Sequence, residues 1–286
     1  MVSINIPFFN HLAFLKRCIE NIEKYSNYPY ELVLIDDGSS DQASSEYAKA
    51  KADIYIRHEL NEGIAKSRAD GVMASSGPYI CAMDCDVIVM PNWLSVLVKE
   101  FDRLKVIEEF RVYILGSMLA TNVDQFIYNP EWYSKQYGVV DVPQIGTGCI
   151  IFEKTLVGLI GNFDPLLYNN LSDLDFSRRV TTSKIIAGNP KVAVTPKVIS
   201  YHHGFADSKT GVVYNDPNES TRAVDLLTSN PISHQRYLRS LVLIYERWGH
   251  VIANPERIAL EIIKLSKIFL ESDKWEFLKI DFNGGV

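Results

Sequence analysis

The chain has 286 residues, of which 47% are apolar and 11% aromatic, and this composition fits one large globular domain or a domain with an appendage. Its formal net charge of −6 comes from 29 basic and 35 acidic residues. Because binding to a phosphate backbone requires a basic surface, this balance argues against nucleic acid as the main partner.

The N-terminus and the cysteines both favour a cytoplasmic protein. The opening MVSINIPFFN has no basic segment followed by a long apolar run, so we expect no signal peptide. No window approaches about 18 uncharged apolar residues, so we expect no transmembrane segment. The four cysteines lack the spacing typical of zinc sites, and we interpret them as reduced, small hydrophobic side chains: Cys18, Cys81, Cys85 and Cys149.

Residues 1–100 alternate short apolar runs with helical patterns. After a first predicted strand at 2–6, Asn10 could cap a helix with apolar positions at Leu12, Leu15, Ile19 and Ile22. Further strands are predicted at 31–35, 54–57 and 79–83, and further helices at 41–50, 64–75 and after Asn92. This alternation predicts an α/β three-layer sandwich, with a mainly parallel central sheet covered by helices on both faces.

The second half of the chain is less regular. Strands are predicted at 113–116 and 148–152, and a further short pair at 192–195 and 198–201. Residues 204–218 are rich in Gly, Pro, Asn and Asp, which predicts a long loop of the kind that often forms a lid. Beyond residue 220 a helical pattern returns, with an apolar stripe at Ile258, Ile262, Leu265 and Phe269.

Two carboxylates, Asp84 and Asp86, follow the predicted strand at 79–83. Because side chains alternate along a strand, residues two apart point the same way, and these two carboxylates repel each other unless a cation is present. A divalent cation with oxygen ligands, often shared with substrate phosphates, would remove the repulsion. The alternative interpretation is a solvated loop that contains two acids.

Several segments at predicted strand ends form an ordered pattern. They read VSINIPFFN, ELVLIDDGSSD, NEGIAKSRADG and YICAMDCDVIVMP, followed in the second half by TGCIIFEK, GNFDP and LSDLDFSRRV. In this order and spacing, over roughly residues 2–203, they resemble the family-2 glycosyltransferases with the GT-A fold. The resemblance implies an inverting, metal-dependent transferase of polysaccharide biosynthesis. Its donor would be a UDP-hexose or UDP-N-acetylhexosamine, and its acceptor a hydroxyl of a glycan or another molecule.

The resemblance also implies a nucleotide-sugar site at the strand ends. Its candidates include Pro7, Phe8 and Asn10 after the first strand. Asp37, or as a second choice Asp36, could accept a hydrogen bond from the uracil ring, although either could instead cap the turn that Gly38 permits. Gly63 would let the backbone pass close to a ligand, and Arg68 could face phosphate or ribose. Lys66 could do the same, but a solvated helix face explains it better.

By the same resemblance, Asp86 would bind Mn²⁺ or Mg²⁺ directly, whereas Asp84 would act through water or hold the ribose. The family often adds a histidine ligand near the end of the domain, where this chain has His202 and His203. Adjacent residues on a strand face opposite ways, so we expect only one of the two to serve, and a structural histidine is the alternative.

The catalytic base of the family is the second acid of a Glu-Asp pair, and the matching residues are Ser172 and Asp173. Serine at the first position departs from the pattern, so its acceptor-binding role is in question while the base, Asp173, is retained. The alternative is structural: Ser172 as a helix N-cap, with Asp173 and Asp175 in the first turn. Gly148 and Trp132 are further candidates for acceptor binding.

These assignments predict a GT-A domain at 1–218, with a nucleotide-binding half at 1–100 and an acceptor half at 101–218 that ends in the lid loop 204–218. A helical extension, 219–286, would follow, and it could pack on the domain, pair two subunits as a homodimer or, least favoured, contact a membrane surface.

One alternative function is a nucleotidyltransferase, which would need a glycine-rich basic loop after the first strand. Another is a non-catalytic carbohydrate-binding relative, against which the joint retention of Asp37, Asp84, Asp86 and Asp173 argues.

Overall fold

The computed structural model describes residues 1–120, 138–168 and 171–202, together with residues 239, 240, 243, 244 and 246–248. The strands of this part of the chain are β1 (Val2–Phe8), β2 (Tyr30–Asp36), β3 (Ile54–Arg57), β4 (Tyr79–Met83), β5 (Val87–Val89), β6 (Val112–Ala120), β7 (Val140–Asp141), β8 (Cys149–Glu153) and β9 (Lys191–His202). The helices are α1 (Leu12–Tyr25), α2 (Gln42–Lys51), α3 (Ile64–Ala74), α4 (Trp93–Leu104), α5 (Leu156–Ile160) and α6 (Ser172–Thr181). Short 3₁₀ turns span Glu108–Phe110 and Pro165–Leu167.

The strands form one mixed sheet in the order β3-β2-β1-β4-β8-β6-β9-β5, with β7 paired to β9. Strands β3, β2, β1 and β4 are parallel, as the strand–helix alternation predicts. Strand β8 runs antiparallel to β4, so that Cys149 lies opposite Met83, and β5 pairs antiparallel with β9, so that Val87 lies opposite His202. The start of β8 and the end of β9 therefore lie near the carboxyl end of β4, where α/β sheets bind ligands.

Apolar side chains pack on both faces of the sheet. On one face, α1 and α4 bury residues such as Ile19 and Trp93 against the strands. On the other face, an aromatic cluster is formed by Phe152 of β8, Phe176 of α6 and Phe163, which lies in the loop between α5 and α6. The centroids of the stacked Phe163 and Phe176 rings are 4.3 Å apart. Each fully buried side chain of this size contributes ~1.5–3 kcal/mol through removal from water. The cluster thereby fixes α6 against the sheet.

Two local predictions were wrong. Asn10 does not cap α1, because the residue before the helix is His11, and both have positive φ angles of 60° and 64°. The amide oxygen of Asn10 instead accepts a hydrogen bond from the backbone N–H of Asp41, at 2.9 Å. Asn10 therefore links the end of β1 to the start of α2.

The predicted pair of short strands at 192–195 and 198–201 is one strand, β9, with an irregularity in its middle. Its register with β6 shifts between Ser117–Thr195 and Met118–Ile199. Pro196 lies in the shifted stretch, and since proline has no backbone N–H it cannot continue the ladder there. The bulge lets β9 continue to His202. Other predictions lie outside the described residues, namely Trp132, His203, the loop 204–218 and the stripe from Ile258 to Phe269.

Candidate functional site

Asp84, Asp86 and His202 converge beyond the carboxyl end of β4. The His202 Nε2 atom lies 3.2 Å from Asp86 Oδ1 and 3.6 Å from Asp84 Oδ2. One potential ligand atom from each of the three residues lies within 4.8 Å of the others. The pairing of Val87 with His202 brings the histidine to the two acids, which are separated from it by a long stretch of sequence.

The electrostatics of this cluster favour a positive charge. Burial of the His202 ring opposes its protonation, but the hydrogen bond to Asp86 and the charges of Asp86 and Asp84 outweigh burial and raise the pKa of His202 above its ordinary value. Two carboxylates are suitable oxygen ligands for Mg²⁺ or Mn²⁺, and the imidazole can add a nitrogen ligand. The donor set therefore fits a divalent cation.

Arg68 joins this cluster to α6. Its side chain is 7% exposed, and its Nη2 atom donates to Asp84 Oδ1 at 2.8 Å. Its Nη1 atom donates to the hydroxyl oxygen of Ser172 at 3.1 Å. Arg68 thus bridges the residue after β4 and the first residue of α6.

The carboxylates at the end of β2, Asp36 and Asp37, hold the surrounding loops. Asp36 is fully buried, and Arg57 forms an ion pair with it. Its carboxylate also accepts three hydrogen bonds, from the N–H of Ser39 at 2.8 Å and from the hydroxyls of Ser45 at 2.5 Å and Tyr55 at 2.9 Å. Burial opposes ionisation of Asp36, but these hydrogen bonds outweigh it and lower its pKa. Asp36 is therefore held as a carboxylate by residues from α2, β3 and the turn after β2.

Asp37 anchors the segment before α3. Its two oxygens accept hydrogen bonds from the N–H groups of Glu62 and Gly63, each at 2.9 Å, and Oδ1 lies 2.8 Å from His58 Nδ1. These backbone contacts hold the distant segment 62–63, whereas the turn at Gly38 is capped by Asp36, which accepts the N–H of Ser39. Because a carboxylate offers about four acceptor positions, they leave room for one more hydrogen-bond donor. Sequence reasoning missed His58, whose position after β3, at the same edge of the sheet, is the only signal for it.

Both the backbone angle and a close neighbour require glycine at position 63. Its φ is 95°, and a Cβ atom added to it would lie 2.7 Å from the carbonyl oxygen of Tyr168. Tyr168 in turn donates its hydroxyl to the carbonyl oxygen of Asn61 at 2.7 Å. The segment 61–63 is therefore packed against the turn that precedes α6.

Asp173 lies in the first turn of α6, partly exposed. Its Oδ1 accepts a hydrogen bond from the N–H of Leu174 at 2.9 Å. Its Oδ2 lies near Gly146, and a Cβ atom added to that glycine would be 3.6 Å from this oxygen. The same glycine-containing loop reaches the cluster of Asp84, Asp86 and His202, since the carbonyl of Gly148 accepts a hydrogen bond from the N–H of Asp84 at 3.3 Å. The loop 146–148 therefore runs between Asp173 and the end of β4.

The interpretation of Ser172 as an N-cap was wrong. The residue before α6 is Leu171, with a φ of 70°, and Ser172 is the first helical residue. Its hydroxyl faces Arg68, so the serine at the family's acidic position accepts a hydrogen bond from an arginine. Asp173 and Asp175 do occupy the first turn, where the helix dipole favours negative charge.

Comparison with known proteins gives the chain several relatives among bacterial glycosyltransferases. It is 30% identical over 106 residues to the "Uncharacterized glycosyltransferase EpsJ" of Bacillus subtilis, a match that covers 36% of this chain and 31% of the relative. It is 29% identical over 104 residues to the "Glycosyltransferase GlyG" of Streptococcus pneumoniae, covering 35% of each chain. The chain thus spans about a third of the length of these curated relatives.

Solved structures with the same fold include TarS of S. aureus, residues 1–349, with a TM-score of 0.53 and 14% identity over 94% of this chain and 80% of TarS. A structure of GalNAc-T7 with UDP, GalNAc and Mn²⁺ has a TM-score of 0.54 and 16% identity over 99% of this chain and 57% of that one. These likenesses confirm the predicted GT-A fold.

Within the part of the chain that the structure describes, no helix has the length and apolarity needed to cross a membrane. Residues 3–150, just over half of the chain, match the family described as "Glycosyl transferase family 2". The strand ends that carry Asp37, Asp84 and Asp86 all fall inside this match. The chain belongs to glycosyl transferase family 2.

Proposed function

We propose that this protein transfers a hexose or N-acetylhexosamine from a UDP-sugar to a hydroxyl of a glycan or another acceptor, with inversion at the anomeric carbon. The observation that carries the proposal is the convergence of Asp84, Asp86 and His202 beyond β4. The solved relatives support the donor class, since TarS has been solved in complex with UDP-GlcNAc and GalNAc-T7 with UDP, GalNAc and Mn²⁺.

Mn²⁺ or Mg²⁺ would be held by Asp86 and His202, with Asp84 nearby. Bound there, the cation would neutralise negative charge on the departing diphosphate. Arg68 occupies one oxygen of Asp84 at 2.8 Å, which leaves the other oxygen facing His202. This division supports Asp86 as a direct ligand and Asp84 as a residue that acts through water or on the ribose.

Asp173 would remove the proton from the acceptor hydroxyl. A general base must lie within hydrogen-bonding reach of that proton, and the partly exposed Asp173 keeps an oxygen on the side of the open Gly146. The contact between Ser172 and Arg68 ties this end of α6 to the cation cluster. A single displacement, with the base on one side of the anomeric carbon and the diphosphate on the other, gives inversion.

The nucleotide would lie along the ends of β1 and β2. Asp37 would accept the uracil N–H with its remaining acceptor capacity, because its contacts with Glu62 and Gly63 hold the carboxylate in place. Asp36, whose oxygens already have four partners, is the weaker choice. Pro7, Phe8 and Asn10 border the same end of the sheet.

The test is release of UDP from a panel of UDP-hexoses and UDP-N-acetylhexosamines, with Mn²⁺ and with excess EDTA. The proposal expects release that depends on the cation. Pyrophosphate release from UTP and a sugar phosphate would indicate the nucleotidyltransferase alternative. Binding of UDP-sugars without turnover of any of them would indicate the carbohydrate-binding alternative.

A further inference from the structure

We infer that Arg247 and Trp248 are positioning residues for Asp173, because they anchor α6 from a segment that lies far along the chain. The inference rests on the proposed function of Asp173 as the base. It assigns a role in the acceptor half to part of the predicted helical extension.

The anchor point on α6 is Asp175, whose side chain is fully buried. Its Oδ2 accepts a hydrogen bond from Arg179 Nε at 2.8 Å, one turn along the same helix. Its Oδ1 accepts hydrogen bonds from Arg247 Nη1 at 3.2 Å and from Trp248 Nε1 at 3.1 Å. A carboxylate without solvent needs such partners, so Asp175 depends on Arg247 and Trp248 for one of its two oxygens.

Arg247 also binds the turn before α6. Its Nη2 atom forms an ion pair with Asp164, in the GNFDP segment that the sequence resemblance singles out. One planar guanidinium therefore joins Asp164 and Asp175, a geometry that arginine provides and lysine does not. Apolar contacts accompany this bridge, since Ile244 is fully buried with Leu167 and Leu174.

The bridge bears on catalysis because of where Asp175 lies. It is two residues from Asp173, in the first turn of α6, and Leu171, the residue before the helix, provides no side-chain cap. The position of this turn is therefore set by lateral contacts, namely Arg68 on Ser172, the Phe176 ring in the aromatic cluster and Arg247 with Trp248 on Asp175. A displacement of ~1 Å at a reacting group can lower a rate by about 10²-fold.

The test is Arg247→Met, with Arg103→Met as its matched control. Arg103 likewise pairs with a buried carboxylate, Glu100, which keeps Lys197 as a second partner just as Asp175 keeps Arg179. Turnover per folded molecule is measured with the UDP-sugar that the wild type uses best. UDP affinity and hydrogen exchange of residues 172–181 are measured on the same samples.

We expect Arg247→Met to lower kcat by at least ~10-fold while the Kd for UDP stays within about twofold, and to speed exchange in 172–181. Arg103→Met should leave all three unchanged. Trp248→Phe, which removes the indole N–H together with part of the ring volume, should lower kcat by a smaller factor and remains usable if Arg247→Met does not fold. Arg247→Lys should recover part of the loss, since it keeps a charge but not the two-sided bridge.

Normal turnover per folded molecule in Arg247→Met and Trp248→Phe, even with a lower melting temperature, would overturn the inference and leave these residues a structural role only. A failure of the proposed function would give a different result, seen in the wild type. In that case the wild type binds UDP and Mn²⁺ but releases UDP from none of the UDP-sugars. Faster exchange in 172–181 of Arg247→Met would then still support the anchoring of α6.

Discussion

Replacement of Arg68 by methionine should destabilise the protein more than the same replacement of Arg57. Methionine keeps the apolar stem of the side chain but removes both guanidinium contacts, the 2.8 Å ion pair with Asp84 and the 3.1 Å hydrogen bond to Ser172. The Asp84 carboxylate is then left without its arginine partner, next to Asp86. The start of α6 loses its link to β4.

The magnitude follows from the burial of the pair. Breaking a buried ion pair by removing one partner costs ~3–5 kcal/mol. The Arg68 side chain is 7% exposed and that of Asp84 is 22% exposed, and Asp84 still has His202 at 3.6 Å. This partial solvation favours the lower end, about 3 kcal/mol.

A matched control is Arg57→Met. Arg57 also pairs with a buried acid, Asp36, but its own side chain is 44% exposed and Asp36 retains three other hydrogen-bond donors. The expected cost is therefore about 1 kcal/mol. In thermal unfolding followed by circular dichroism, these values correspond to decreases in Tm of about 6–12 °C for Arg68→Met and about 2–4 °C for Arg57→Met. Equal decreases in the two variants would refute the argument from burial.

Three further predictions concern the acids. Asp86→Ala should abolish cation-dependent UDP release while leaving the Tm measured in EDTA within about 2 °C of wild type, since relief of the repulsion between Asp86 and Asp84 offsets the lost contact with His202. Full activity of the variant would contradict this. Asp173→Asn should lower sugar transfer at least ~10²-fold with unchanged affinity for UDP, whereas a purely helix-stabilising role predicts a lower Tm and near-normal turnover. Asp36, whose pKa is lowered in the folded protein, contributes stability that is present above the ordinary carboxyl pKa and is lost as pH falls through the lower folded value. The acid limb of a plot of Tm against pH should therefore be less steep in Asp36→Asn, and an unchanged limb would argue against this role.

The predictable parts of the fold are those encoded locally. The strands β1 to β4 and the helices between them follow from apolar periodicity, and the structure confirms them with small changes at their ends. Strand β9 was predicted as two pieces because Pro196 interrupts its pattern, although tertiary pairing with β6 carries the strand across the interruption. The positive φ angles of Asn10 and His11 have no local signal, since neither residue is a glycine.

The candidate site was predictable in its acids and unpredictable in its connections. Asp84 and Asp86 stand out because two carboxylates follow an apolar strand. The contact of Arg68 with Ser172 joins residues that are 104 positions apart, and nothing in either sequence neighbourhood indicates it. Between His202 and His203, only the former lies among the described residues, where the register of β9 with β5 places it at the acids. The sequence placed Asp175 in the first turn of α6 but gave no sign of its full burial against Arg179, Arg247 and Trp248, which makes it an anchor of the helix.

Because β5 pairs with β9, a cation bound at this site would stabilise the folded protein over the unfolded chain. Asp84 and Asp86 follow β4, whereas His202 is the last residue of β9 and lies beside them because β9 pairs with β5. In the unfolded chain a long loop separates Asp86 from His202, so a cation held by both should bind the native state far better than the denatured one. At a concentration of about 100 times its Kd, such a cation would add ~2.7 kcal/mol to the free energy of unfolding. Titration of Mn²⁺ against thermal unfolding would therefore show, through a rise in Tm, whether the pairing of β9 with β5 brings His202 and Asp86 to one cation in the folded protein.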